Sequence, residues 1–86
     1  MYYFIINPKS KSGRGLAVWN TVKQELDNRK IEYQYFVTRN KTHATKFTKK
    51  ICSENTGISY IVAVGGDGTV NEIINGINDY SKVILG

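Results

Sequence analysis

Cysteine occurs once in these 86 residues, at Cys52, so neither an internal disulfide nor a cysteine-based zinc site can form. Cys52 falls at the end of an apolar-periodic stretch and reads as a small packing residue. Proline also occurs once, at Pro8, and no rigid linker divides the chain. Long apolar runs are missing. The first, Tyr2–Ile6, is far too short for a signal-peptide core or a membrane span, and no basic segment precedes it. The expectation is a cytoplasmic protein, with any membrane contact peripheral. Acidic residues are scarce: 7 Asp plus Glu face 12 Lys plus Arg, a formal charge of +5. That balance favours anionic partners such as nucleotide phosphates, lipid headgroups or nucleic acid. The length allows one domain, and a chain of this size buries only about 60–65% of its unfolded surface, so its stability is marginal.

What is present has a regular order. Tyr2–Ile6, Tyr33–Val37, Tyr60–Val64 and Val83–Leu85 are short runs rich in β-branched and aromatic residues. The first, third and fourth are continuous rather than alternating, as in strands covered on both faces. Between them lie helical stripes: Leu16, Trp19, Val22 and Leu26; Ala44, Phe47 and Ile51, with Thr42 as N-cap; and Val70, Ile73, Ile74 and Ile77. The first three strands start about thirty residues apart, the length of a right-handed β-α-β crossover. The fold class expected is therefore α/β, a parallel sheet with helices on both faces. The strand order expected is 3-2-1-4 or a close variant, with the loops after Ile6, Val37 and Val64 on one edge. Trp19 and the aromatics of Met1–Tyr3 read as core. The chain stops at Gly86, directly after the fourth strand, where a doubly wound sheet would carry a functional loop. A chain cut there should leave Val83–Leu85 and the stripe of Ile73, Ile74 and Ile77 poorly covered, with room for a homo-oligomer.

Three loops carry the chemistry. Gly65-Gly66-Asp67-Gly68-Thr69 joins the third strand to the third helix. Glycines there permit positive φ and let backbone N–H groups approach a phosphate, and the helix N-terminus favours the same anion. Thr69 can cap the helix or donate to a phosphate oxygen. Asp67 would be repelled by a phosphate unless Mg²⁺ stands between them or its carboxylate takes a proton from an attacking hydroxyl. The bland alternative is a tight turn with Asp67 as a helix cap. The loop is no Walker A sequence, and Asn71 stands where a dinucleotide fingerprint needs its third glycine. The second loop, Asn7 to Gly15, offers an amide, the hydroxyls of Ser10 and Ser12, and the charges of Lys9, Lys11 and Arg14. The third, Thr38 to His43, places a threonine at a strand end, with His43 read as structural.

The run from Val64 to Ile77 resembles the signature of the diacylglycerol kinase catalytic domain, shared with sphingosine, ceramide and bacterial lipid kinases. Asn7-Pro8 and the Ser/Gly-rich stretch are similar to the family's first motif, and Thr38 with His43-Ala44 to its second. Lys11 departs from it, standing where many members have glycine. The resemblance implies ATP-dependent, Mg²⁺-assisted phosphorylation of a lipid hydroxyl at a membrane surface, with no nucleic acid involved. It implies that residues 1–86 are the incomplete nucleotide-binding part of that catalytic domain, truncated before a β-rich second domain. Carried over, Asn7 and Thr38 would contact the nucleotide, and Gly66, Gly68 and Thr69 its phosphates. Asp67 would act as base or as metal ligand, and Glu72 would support the metal through water. Two other readings remain open: a NAD kinase-like enzyme, which shares the glycine loop but lacks the other two motifs, and a non-catalytic nucleotide-binding module.

Overall fold

The computed structural model describes residues 1–9, 14–40, 42–54 and 57–86. Strands β1 (Tyr2–Ile6), β2 (Tyr33–Val37), β3 (Ser59–Val64) and β4 (Val83–Leu85) alternate with helices α1 (Gly15–Asn28), α2 (His43–Glu54) and α3 (Asp67–Gly76). A short 3₁₀ turn, Tyr80–Lys82, leads into β4. All three strand pairings are parallel. The continuous apolar sequence of β1 is explained by two cores. Tyr3 and Ile5 point to one face, where Ala44 and Ile51 of α2 and Ile73 of α3 cover them. Phe4 and Ile6 point to the other, where Trp19 of α1 covers them. Helices thus lie on both faces, as the crossover spacing requires.

The strand order is β2-β1-β3-β4, not 3-2-1-4. Burial decides the order. Gln34 and Tyr35 of β2 are exposed, which suits an edge strand, whereas Ile61 and Val64 of β3 are buried and need neighbours on both sides.

Of the residues expected to be covered or open, some behave as expected and others do not. Trp19 is core, 2% exposed, with ring centroids 5.0 Å from Phe4 and 5.1 Å from Tyr35. Leu16, on the same stripe, is exposed, because the first turn of α1 buries Gly15 instead. Met1 and Tyr2 are exposed too, Tyr2 stacking on Tyr60 at 5.0 Å. The stripe on α3 is better covered than expected: Ile73 is 0% and Ile77 8% exposed, held between sheet and α2. What stays open is the α1 side of β3 and β4, where Tyr60 and Ile84 lie side by side. Among the described residues no helix is long and apolar enough to cross a membrane.

Candidate functional site

Ile6 pairs with Val37 on one side and Val64 on the other, so β1, β2 and β3 end level and their loops leave from one edge. The loop after β1 turns to α1 on one face, and the loop after β3 turns to α3 on the opposite face. The crevice between adjacent strands whose connections part in this way is where open α/β sheets bind ligands. The observed strand order therefore makes Asn7 and the glycine loop direct neighbours, which the order 3-2-1-4 would not.

The crevice walls are tied down by backbone bonds. Asn7 N–H donates to the Val64 carbonyl at 2.9 Å, and Thr38 N–H to the Ile6 carbonyl at 2.8 Å. Asn7 Oδ1 accepts from Lys9 N–H at 3.0 Å, closing an Asx turn that fixes the exit past Pro8. The Thr38 hydroxyl is buried and donates to the Ile6 carbonyl at 3.2 Å, so its lone pairs are what it offers a ligand. His43 Nδ1 accepts from Arg39 N–H at 3.0 Å, and its ring lies 5.1 Å from Phe47. His43 is thus a structural brace for the loop that carries Thr38, as its position suggested.

The glycine loop works differently from the sequence expectation. None of Gly65, Gly66 and Gly68 sits at positive φ; Gly66, the N-cap of α3, is extended at φ −93° and ψ −169°. What matters is the missing side chain. A Cβ on Gly65 would meet Thr69 Oγ1 at 2.6 Å and Asn7 Cβ at 3.3 Å, so Asn7 and Thr69 close over Gly65 from two elements. Gly65 belongs to the site and was missed as an individual residue, because the contact that demands it is not local. Among the described residues nothing lies within 4 Å of a Cβ position on Gly66 or Gly68, so these residues leave space open beside the loop. The Gly66 carbonyl accepts from the N–H groups of Thr69 (3.1 Å) and Val70 (3.3 Å). No partner among the described residues takes the N–H groups of Asp67 and Gly68, the ordinary condition of a helix start.

Asp67 is exposed and is the first residue of α3, after the N-cap Gly66 rather than at it, and among the described residues no side-chain bond caps this helix. The capping alternative for Asp67 and Thr69 thus finds no hydrogen bond. Thr69 is 3% exposed and sits on the crevice floor against Gly65. Glu72 is half-buried, and its carbonyl accepts from Thr45 Oγ1 at 2.7 Å, so this part of α3 abuts α2. Helix geometry puts Glu72 about 7.5 Å along and roughly 140° around the axis from Asp67. Asn71, one turn on from Asp67 and exposed, shares its face. The spacing of four was the signal that could have marked it. Among the described residues no group of three acidic, His or Cys side chains could hold a metal. Beside the loop, on the α1 side, lies a cavity of about 270 Å³ lined by Gly65, Val62, Val64, Val18, Val22 and Arg14. Ser10, Lys11, Ser12 and Gly13 of the loop after β1 lie outside the described residues.

The sequence model of the family described as "Diacylglycerol kinase catalytic domain" matches residues 1–86. Over 85 residues the chain is 34% identical to a Bacillus subtilis protein named "Putative lipid kinase YtlR", covering 98% of the chain and 28% of that protein. It is 38% identical over 72 residues to a ceramide kinase of Arabidopsis thaliana, covering 83% of the chain and 12% of that protein. A third relative, sphingoid long-chain bases kinase 1 of the same plant, is 31% identical over 78 residues, covering 85% and 10%. The chain thus spans about a quarter or less of the length of these relatives.

Proposed function

The chain belongs to the diacylglycerol kinase catalytic domain family, a family of lipid kinases, and from that premise we propose that it supplies the nucleotide-phosphate-binding wall of an ATP-dependent lipid kinase. The observation that carries the reading is the glycine loop. It opens onto the start of α3 at the crevice between β1 and β3, with two N–H groups that take no partner and space beside Gly66 and Gly68 that holds no atom among the described residues, and with Asp67 exposed at its lip. A phosphate at a helix start gains from several N–H donors and from the helix dipole, about 0.3–1 kcal/mol per charge at an exposed position.

ATP supplies the γ-phosphoryl group, and Mg²⁺ offsets its charge. The donor set suits that ion, which keeps most of its waters and takes only one or two carboxylates beside the phosphates. Asp67 is the residue for a direct contact and Glu72 for support through water. The open sides of Gly66 and Gly68 admit phosphate oxygens that a Cβ would exclude. Asn7 and Thr38 flank the nucleotide, Thr38 as acceptor. At the transfer step an acceptor hydroxyl oxygen bonds to phosphorus while the bond to the leaving oxygen breaks. The hydroxyl proton would pass to the Asp67 carboxylate or, if Asp67 held the metal instead, to an oxygen of the transferred phosphoryl group. The names of the relatives support a lipid hydroxyl as acceptor, and a hydroxyl of that kind would be met at a membrane surface.

Phosphoryl transfer depends on holding donor, metal and acceptor in line. Residues 1–86 provide one wall of the cleft, so alone they should bind nucleotide weakly, with Mg²⁺ dependence, and transfer nothing. The test is Asp67→Asn in the full-length protein. Transfer should fall to near nothing while the unfolding midpoint stays put; activity within about threefold of the parent would remove Asp67 from the chemistry. Thermal shifts with ATP, NAD and lipid headgroup phosphates side by side separate this reading from a NAD kinase-like enzyme and from a non-catalytic nucleotide- or anion-binding module.

A further inference from the structure

α2 and α3 lie side by side on one face of the sheet and meet along a seam of small residues. A Cβ on Gly76 would stand 2.6 Å from the Thr45 carbonyl oxygen and 2.8 Å from Thr48 Cβ. The two helices therefore approach backbone to side chain with no room for a methyl group. One turn back on α3, the Thr45 hydroxyl donates to the Glu72 carbonyl at 2.7 Å. Thr48 makes no such cross-link: it is fully buried and its hydroxyl turns back to the Ala44 carbonyl at 2.8 Å, leaving its methyl against Gly76.

We propose that Thr45 and Gly76 are positioning residues that hold α3 at one spacing and one rotation against α2. The steric contact at Gly76 stops the helices from approaching, and the hydroxyl bond at Thr45 stops them from separating or rolling. Burial of Ile73 and Ile77 supplies a non-directional drive that holds the same two helices on the sheet. The consequence falls on the crevice. α3 begins with Asp67, Gly68 and Thr69, and α2 follows the loop that carries Thr38. The sheet's backbone bonds hold the strand ends together, and a seam that fixes the two helices adds the orientation of α3's first turn relative to the loop that carries Thr38. A methyl at Gly76 needs roughly 1 Å of separation to restore ordinary contact. Displacements of that size at a site of transfer can lower rates by about a hundredfold.

The inference rests on the glycine loop being the phosphate site, and the experiment separates the two. Inorganic phosphate and ATP with Mg²⁺ are titrated into the whole chain while the amide resonances of Gly66, Gly68 and Thr69 are followed by NMR. The parent is compared with Thr45→Val, Thr45→Ser, Gly76→Ala and a stability control, Ile51→Val. Thr45→Val should shift the Gly68 and Thr69 resonances before any ligand is added and weaken phosphate binding measurably, by at most about tenfold, the ceiling if the whole worth of one ordinary hydrogen bond is coupled to the site. Thr45→Ser should restore both. Ile51→Val should lower the melting temperature and leave these resonances and the affinity alone. Gly76→Ala should act as Thr45→Val does, and if it does not fold, the isosteric Thr45→Val carries the test. If the parent binds phosphate at the loop and Thr45→Val binds it equally well with unmoved resonances, the positioning role is wrong. If the parent itself shows no shifts at these amides, the phosphate reading fails and the inference goes with it.

Discussion

Replacing Gly65 and Gly68 by alanine, one at a time, should separate their roles by the sign of the effect. Gly65→Ala inserts a methyl 2.6 Å from Thr69 Oγ1 and 3.1 Å from Thr69 Cβ, with Asn7 Cβ at 3.3 Å. Neither neighbour can swing clear without opening the crevice, so the cost is that of overpacking, about 1–3 kcal/mol. At roughly 4–8 °C per kcal/mol for a domain of this size, the melting temperature should drop visibly. Gly68→Ala has the opposite outlook for folding. Gly68 lies inside α3, away from the left-handed region, with nothing within 4 Å of a Cβ. Alanine there should stabilise the helix by about 0.5–1 kcal/mol. The same methyl would fill the space through which a phosphate oxygen reaches the N–H groups. Losing one charge-assisted bond costs about 1.5–3 kcal/mol, roughly 10- to 150-fold in affinity. Melting curves followed by the fluorescence of buried Trp19, with ATP–Mg²⁺ titrations on the same samples, read both quantities. A Gly68→Ala protein that is more stable and binds nucleotide as the parent does would refute the cradle. A Gly65→Ala protein as stable as the parent would refute the packing argument.

Trp19→Ala should remove the centre of the α1-side core and cost about 3–5 kcal/mol, enough to leave a marginal domain largely unfolded by circular dichroism. The Asp79 carboxyl, accepting from the Ser81 hydroxyl and N–H, is held below its ordinary value of 3.8. Its contribution is present above that value and is lost as pH falls through the lowered one. The stability gap between the parent and Asp79→Ala should therefore be open at neutral pH and close below about pH 3.8, as measured by urea titrations across that range. The open face around Tyr60 and Ile84 should drive concentration-dependent self-association of residues 1–86. Sedimentation of Ile84→Lys should shift towards monomer; identical profiles would clear that face of the role.

Much of the protein was legible in its sequence because the signals are local. The runs at Tyr2–Ile6 and Tyr60–Val64, the stripe through Trp19, Val22 and Leu26, and the strand–glycines–helix junction at Val64–Val70 each depend on residues a few positions apart. Strand identity, helix faces and the level exit of the three loops follow from those short-range patterns and from crossover handedness. Strand order did not, because the order of β2, β1 and β3 is decided by which strand can leave its polar positions at an edge. Gln34 and Tyr35 settle that only when the whole sheet competes for cover. Nor could the sequence explain why Gly65 and Gly76 must be glycine. The sequence permits turns there, whereas the structure shows Thr69 and Asn7 pressing on one and the backbone of α2 on the other. Close packing between elements far apart in the chain has no local signature, so it appears only when the helices have settled on the sheet.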